Sequence, residues 1–105
     1  LQRVEGNEDM LRSVVGIYDE ELPRSLARFD EAIARGDSGT AERAAHTLKG
    51  MVLNMSGEEA GELARALERE ASEGRLDHAR ELRERLAEAL VRLDAELEPL
   101  RRRAA

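Results

Sequence analysis

Between residues 41 and 55 the apolar positions Ala41, Ala45, Leu48, Val52 and Met55 recur every three or four residues, the period of one face of an α-helix. The same period predicts five helices. The first, about 8–18, carries Met10, Leu11, Val14 and Val15, with Asn7 as its cap and Glu8 and Asp9 at its positive end. The second, 20–35, starts at an Asp19 cap because Pro23 is tolerated only near a helix start, buries Leu22, Leu26, Phe29 and Ile33, and ends at Gly36. Asp37 or Ser38 caps the third, 40–54. Ser56-Gly57-Glu58-Glu59 matches a capping box for the fourth, 58–73, which buries Ala60, Leu63, Ala64, Leu67 and Ala71 and stops at Gly74. The fifth, 77–101, has the cleanest repeat, Ala79, Leu82, Leu86, Leu90, Leu93, Leu97 and Leu100, with Pro99 expected to kink or end it late.

Short connections force the last four helices to lie antiparallel to their sequence neighbours. The expectation is an all-α, up-down-up-down four-helix bundle, with the first helix as a short N-terminal cap and residues 1–105 forming one domain. Composition agrees, since Ala, Leu, Glu and Arg dominate, β-branched residues are scarce, and Phe29 and Tyr18 are the only aromatics. No internal repeat or linker interrupts the chain. Charges outside the apolar stripes read as a solvated face.

Charge and cysteine content narrow the function. Seventeen basic and twenty-three acidic residues give a net charge of −6, which disfavours nucleic acid and anionic lipid despite the terminal Arg101, Arg102 and Arg103. Without cysteine there is no disulfide, thiolate metal site or thiol nucleophile, a composition suited to the cytoplasm. No apolar run is long enough to cross a bilayer, so direct membrane contact is not expected, and no secretory signal is present. The first residue is Leu1 rather than Met, which suggests a piece of a longer polypeptide.

His46 is the candidate reactive group. On the helical wheel it falls roughly 140° from the buried stripe, towards solvent. Neutral imidazole is a competent nucleophile near pH 7, and its phosphoramidate stays reactive enough to pass the group on. Lys49, one turn along, can offset the charge of a phosphoryl group at His46. Gly50, also one turn along, removes a Cβ that would obstruct a partner; a kink or tight helix packing is the structural alternative for a glycine costing about 1 kcal/mol in a helix interior. Leu53 lies on the same outward face, either as a docking contact or as a singly exposed leucine without consequence.

Residues 36–50, GDSGTAERAAHTLKG, resemble the histidine-containing phosphotransfer (HPt) family, whose pattern is a Gly-Asp turn, a helix and Ala-His-x-Leu-Lys-Gly. Asn54, Ala64-Arg65-Ala66-Leu67-Glu68 and Gly74 extend the resemblance across the second to fifth predicted helices. It implies a multistep two-component phosphorelay, in which His46 accepts a phosphoryl group from a receiver domain's aspartyl phosphate and passes it to another receiver. Lys49 and Gly50 are then its supporting pair, and Glu42, Arg43 and Leu53 lie on the partner-binding face. Glu68 matches a residue that orients the imidazole, so that Nδ1–H is fixed and Nε2 left free. A sensor histidine kinase in the same polypeptide is a possible further partner. Met51 and Val52 stand where the family carries small or polar residues, and Ser56 where glycine is common.

No phosphate-binding glycine loop is present, so the domain is expected to bind no ATP and to be no enzyme by itself. No metal or other cofactor is expected on it; Mg²⁺ belongs to the partner receiver. His78, at the exposed start of the fifth predicted helix, reads as solvated surface. The rival reading is a non-catalytic interaction or dimerisation bundle that pairs with another chain through Leu90, Leu93, Leu97 and Leu100.

Overall fold

A computed structural model describes residues 2–104, with side chains over 9–103. The described residues form four helices and no strand: α1 (Gln2–Arg35), α2 (Ser38–Asn54), α3 (Glu58–Ser72) and α4 (Leu76–Ala104). Each of α1 and α3 packs on both α2 and α4. The core they enclose is built on Phe29, Leu48, Val52, Leu67 and Leu86, all fully buried.

The first two predicted helices are one. The buried positions Val15, Tyr18, Ser25, Phe29 and Ala32, with half-buried Leu22 between them, keep a spacing of threes and fours straight through the expected break. A separate capping helix would throw that stripe out of phase. Asp19 therefore caps nothing; its carboxylate takes both Nη2 and Nε of Arg101 at 2.7 and 3.0 Å. Pro23 sits inside α1, on its exposed side, where it cannot donate to the carbonyl of Asp19. Packing on both sides of the proline holds the helix together against that loss.

Asn7 lies within α1 rather than at its end, and its side chain and that of Glu8 are outside the described residues. Met10 and Leu11, two of the apolar residues that the first predicted helix carries, are exposed. Arg101, close to the last described turn of α4, pairs with Asp19 of α1. Pro99, likewise on the solvent side, does not end α4, because Leu97 is buried on one side of it and Arg101 is pinned by Asp19, Asp94 and Glu98 on the other. The leucine repeat of α4 is covered within this one chain: Leu90, Leu93 and Leu97 are buried and Leu100 is half-buried. The stripe that the rival reading assigned to a second chain is occupied.

Each of the three turns closes on a paired bond pattern that satisfies the last carbonyls of the preceding helix. Gly36 and Gly74 supply the left-handed residue at φ 71° and 75°. Ser56 does so at the end of α2, with φ 59°, Gly57 N–H donating to Val52 O at 2.9 Å and Ser56 N–H to Leu53 O at 3.0 Å. This overturns the expected capping box. Ser56 is spent on ending α2, Gly57 is the N-cap of α3 without a side-chain bond, and Glu59 reaches Arg92 on α4 at 2.8 and 2.9 Å. Gly57 is required for space, since a Cβ there would lie 2.7 Å from Leu93 Cδ2.

At the α3–α4 turn the buried carboxylate of Glu70 accepts from Arg75 Nε and Nη2 and faces His78 Nδ1 at 3.4 Å. His78 is therefore a partner of Glu70 and not merely solvated surface. The hydrogen bonds from Arg75 hold the Glu70 carboxyl at about 2, against the opposing effect of burial and with help from His78. A carboxyl depressed on folding adds stability above its ordinary value of 4.5, and that contribution disappears as pH falls through the folded value. Glu70→Gln is expected to lower the melting temperature at pH 7 and to flatten the loss of stability between about pH 4.5 and 2, followed by circular dichroism. An unchanged acid limb would contradict this assignment.

Candidate functional site

Helix α2 opens on a strong cap. The Asp37 carboxylate accepts from Thr40 N–H at 3.1 Å and from Thr40 Oγ1–H at 2.7 Å, bonds that hold it below the usual carboxylate range. With its start fixed there, α2 turns Ala41, Ala44, Ala45, Leu48 and Val52 into the core. His46 is thereby carried outward, its side chain 67% exposed.

Glu68 comes from α3, on the edge of that helix's buried face, between Ala64 and Gly61 around the helix. Its Oε2 lies 2.7 Å from His46 Nδ1, and its Oε1 accepts from Lys49 Nζ, also at 2.7 Å. One carboxylate thus holds two residues of α2. The Glu68 and Lys49 side chains are only 22% and 23% exposed, whereas the imidazole beyond them stands in water. The bond from Lys49 is the main reason that the Glu68 carboxyl lies below its ordinary range; partial burial opposes it and the His46 bond adds to it.

The charge state of Glu68 decides the tautomer. An ionised carboxylate is an acceptor only, so a 2.7 Å contact requires the proton on Nδ1. The neutral ring then presents the lone pair of Nε2 to solvent. An imidazole of fixed orientation and protonation results, with a cation one turn along the same helix.

The remaining candidates are sorted by their surroundings. A Cβ added at Gly50 would meet nothing within 4 Å, so tight packing within this chain does not explain this glycine. Its open side lies one turn along the helix from His46. Leu53 is 40% exposed but not free, because its Cδ2 occupies the place a Cβ of Gly61 would take, 2.4 Å away. It locks α2 to α3 at that point and offers only its outer edge. Glu42 is half-buried, and Arg43 is exposed, donating from Nη2 to Thr40 Oγ1 at 3.1 Å. Among the described residues no three histidine or acidic side chains gather as a metal cage requires, and no helix is long and apolar enough to cross a membrane.

Sequence reasoning had Lys49 facing an incoming phosphoryl group and Glu68 serving the imidazole alone. The bond joining them was missed. Its signal was available in opposite charges one turn beyond His46 and on the facing side of the next helix. The role of Gly61 was also missed, and only its place opposite a leucine pointed to it.

Fold and site together make a helical bundle that presents the imidazole of His46 to solvent, held by a carboxylate of the next helix. The family model named Hpt domain matches residues 13–101, and the chain belongs to that family of histidine phosphotransfer modules, which act with receiver domains in two-component phosphorelays. Comparison with curated proteins and with solved structures finds no match.

Glu68→Ala removes the acceptor from both partners. The ¹⁵N shifts of His46 are expected to move from the Nδ1–H form towards a mixture of tautomers, while stability falls by about 1 kcal/mol or less, as for other partly exposed ion pairs. Unaltered imidazole shifts would show that the carboxylate does not set the tautomer.

Proposed function

We propose that the chain is a single Hpt domain in which His46 takes a phosphoryl group from the aspartyl phosphate of one receiver and gives it to the aspartate of another. The reading rests most on one observation, the exposed imidazole held through Nδ1 by a buried-side carboxylate. Nε2 attacks phosphorus, the bond from phosphorus to the aspartyl oxygen breaks, and the electron pair leaves with the aspartate carboxylate. The positive charge gained by the ring faces Glu68 through Nδ1–H, and delivery of the phosphoryl group to the next aspartate breaks the bond from phosphorus to Nε2, returns its electron pair to the ring and forms the new aspartyl bond. Lys49 shares its charge between Glu68 and the phosphoryl oxygens, and Gly50 leaves the partner's path clear. Mg²⁺ in this scheme sits on the receiver, beside its aspartate, and the carrier itself supplies no metal ligand.

We also propose the up-and-down arrangement of helices that places His46 midway along the bundle. Its support is the run of pairs from Asp30–Arg83 to Asp19–Arg101, in which positions descend along α1 as they ascend along α4. Against the non-catalytic alternative stands the covered leucine stripe of α4.

Incubation with a phosphorylated receiver and Mg²⁺ is expected to label the chain with an acid-labile, base-stable phosphoryl group. His46→Gln should abolish the label and shift stability by no more than about 0.5 kcal/mol, as for a surface side chain. His78→Gln should keep it. Labelling that survives His46→Gln would refute the assignment.

A further inference from the structure

We propose that two copies of this chain associate through an apolar window between α1 and α4, with their α4 helices antiparallel, so that each copy keeps His46 in solvent. The window is lined by Leu22 and Leu26 of α1 and by Ala87, Leu90 and Val91 of α4, together with buried Tyr18. Association through it does not depend on reading His46 as a phosphoacceptor.

The helices touch one another in a ring, α1 with α2, α2 with α3, α3 with α4 and α4 with α1, so the seam of α1 and α4 lies across the bundle from that of α2 and α3. His46 and its partner Glu68 belong to the latter seam. A body seated over the window therefore leaves the imidazole open. The window also differs from the leucine stripe of α4, because Leu93 and Leu97 are buried whereas Val91 is 71% exposed, the most of any large apolar side chain among the described residues. A valine held in water beside an apolar recess has no part in the core of this bundle.

Shape makes the window complementary to itself. Val91 stands out from α4, and Ala87, one turn before it, lines a recess walled on the far side by Leu22 and Leu26. The recess measures about 340 Å³, the volume of about eleven waters in the liquid, and so admits the edge of a helix rather than one side chain. A two-fold axis between Ala87 and Val91 sets Val91 of each copy over Ala87 of the other, the geometry in which one surface serves both partners. Half of the rod's 50 Å length across its 20 Å width is about 500 Å² on each copy, which reaches the total of about 1,000 Å² that a specific interface needs.

Charge chooses the direction. Only Arg83 and Asp94, about 16 Å apart along α4, bring charge to the lining, one at each end. Around Arg83, the arginines Arg80 and Arg83 balance Asp30 and Glu84. Around Asp94, the acids Asp19, Asp94 and Glu98 outnumber Arg101 and Arg102. Parallel packing would set the two acidic ends together. Antiparallel packing sets each acidic end against a balanced one and brings Asp94 of one copy towards Arg83 of the other. The net charge of −6 on each copy still opposes association at long range, so the contact depends on apolar burial and tightens as salt screens the charge. Joined in this way, the pair turns two His46 rings away from the shared seam, where two partners can reach them at once.

Sedimentation equilibrium of the 105-residue chain, from about 10 µM to about 1 mM, is expected to rise from the mass of one copy towards that of two, and to do so at lower concentration in about 0.5 M salt than in about 0.05 M. Val91→Asp should raise the dissociation constant about tenfold or more. Ile17→Asp, at an exposed apolar residue of α1 outside the window, should leave it unchanged. Both variants are expected to keep wild-type helical content, since both side chains stand in solvent. The chain has no cysteine, so disulfide formation reads the direction: an equal mixture of Ala87→Cys and Val91→Cys should cross-link faster than either variant alone. A chain that stays monomeric at the highest concentration overturns the proposal and leaves the window to a different protein. An equal loss in Ile17→Asp, or a dimer that salt dissociates, overturns it as well. Faster cross-linking of either variant alone would overturn the antiparallel arrangement.

Discussion

A single carboxylate organises the face of this bundle that presents His46. Glu68 uses one oxygen for His46 Nδ1 and the other for Lys49 Nζ, each at 2.7 Å. Its ionisation is maintained chiefly by the lysine, and an ionised carboxylate can accept only from a protonated Nδ1. Tautomer, ring orientation and the position of the nearby cation are thus set together. In the proposed reaction the same carboxylate offsets the charge that the ring acquires when Nε2 bonds to phosphorus. A cation tied to Glu68 is placed in advance, so no side chain need be ordered at the moment of transfer.

The rest of the fold keeps α2 and α3 in register so that this contact exists. Asp37 fixes where α2 starts, and Ser56 and Gly57 fix how it hands over to α3. Leu53 seated over Gly61 sets the approach of the two helices a turn or two beyond the site. Glu70, Arg75 and His78 tie the far end of α3 to α4. None of these residues touches His46, yet a shift at any of them would alter a pair of hydrogen bonds whose geometry tolerates little change.

Much of this was legible in the chain. Periodicity gave the inward faces of the last three helices, because apolar spacing is a direct image of burial, and the outward angle of His46 followed by subtraction. The motif around His46 supplied the family. Local rules failed where tertiary contacts overrode them: Asp19 and Pro23 read as a helix start, but an unbroken stripe and the bond from Arg101 carry α1 through both. Ser56 and Glu59 read as reciprocal caps, but each has a stronger use elsewhere. Glu70 was invisible because a buried carboxylate breaks the pattern that marks the core, and only its partners Arg75 and His78 make it tolerable there. The pairing of Lys49 with Glu68 depends on the rotation of one helix against another, which spacing along either helix does not determine.

The central claim concerns which ring nitrogen reacts, and ¹⁵N and ³¹P magnetic resonance on the phosphorylated, ¹⁵N-histidine-labelled chain tests it most directly. The account predicts phosphorus coupled to Nε2 of His46, with a proton retained on Nδ1 and protected by Glu68. Phosphorus coupled to Nδ1 instead, or carried by another residue, would contradict it.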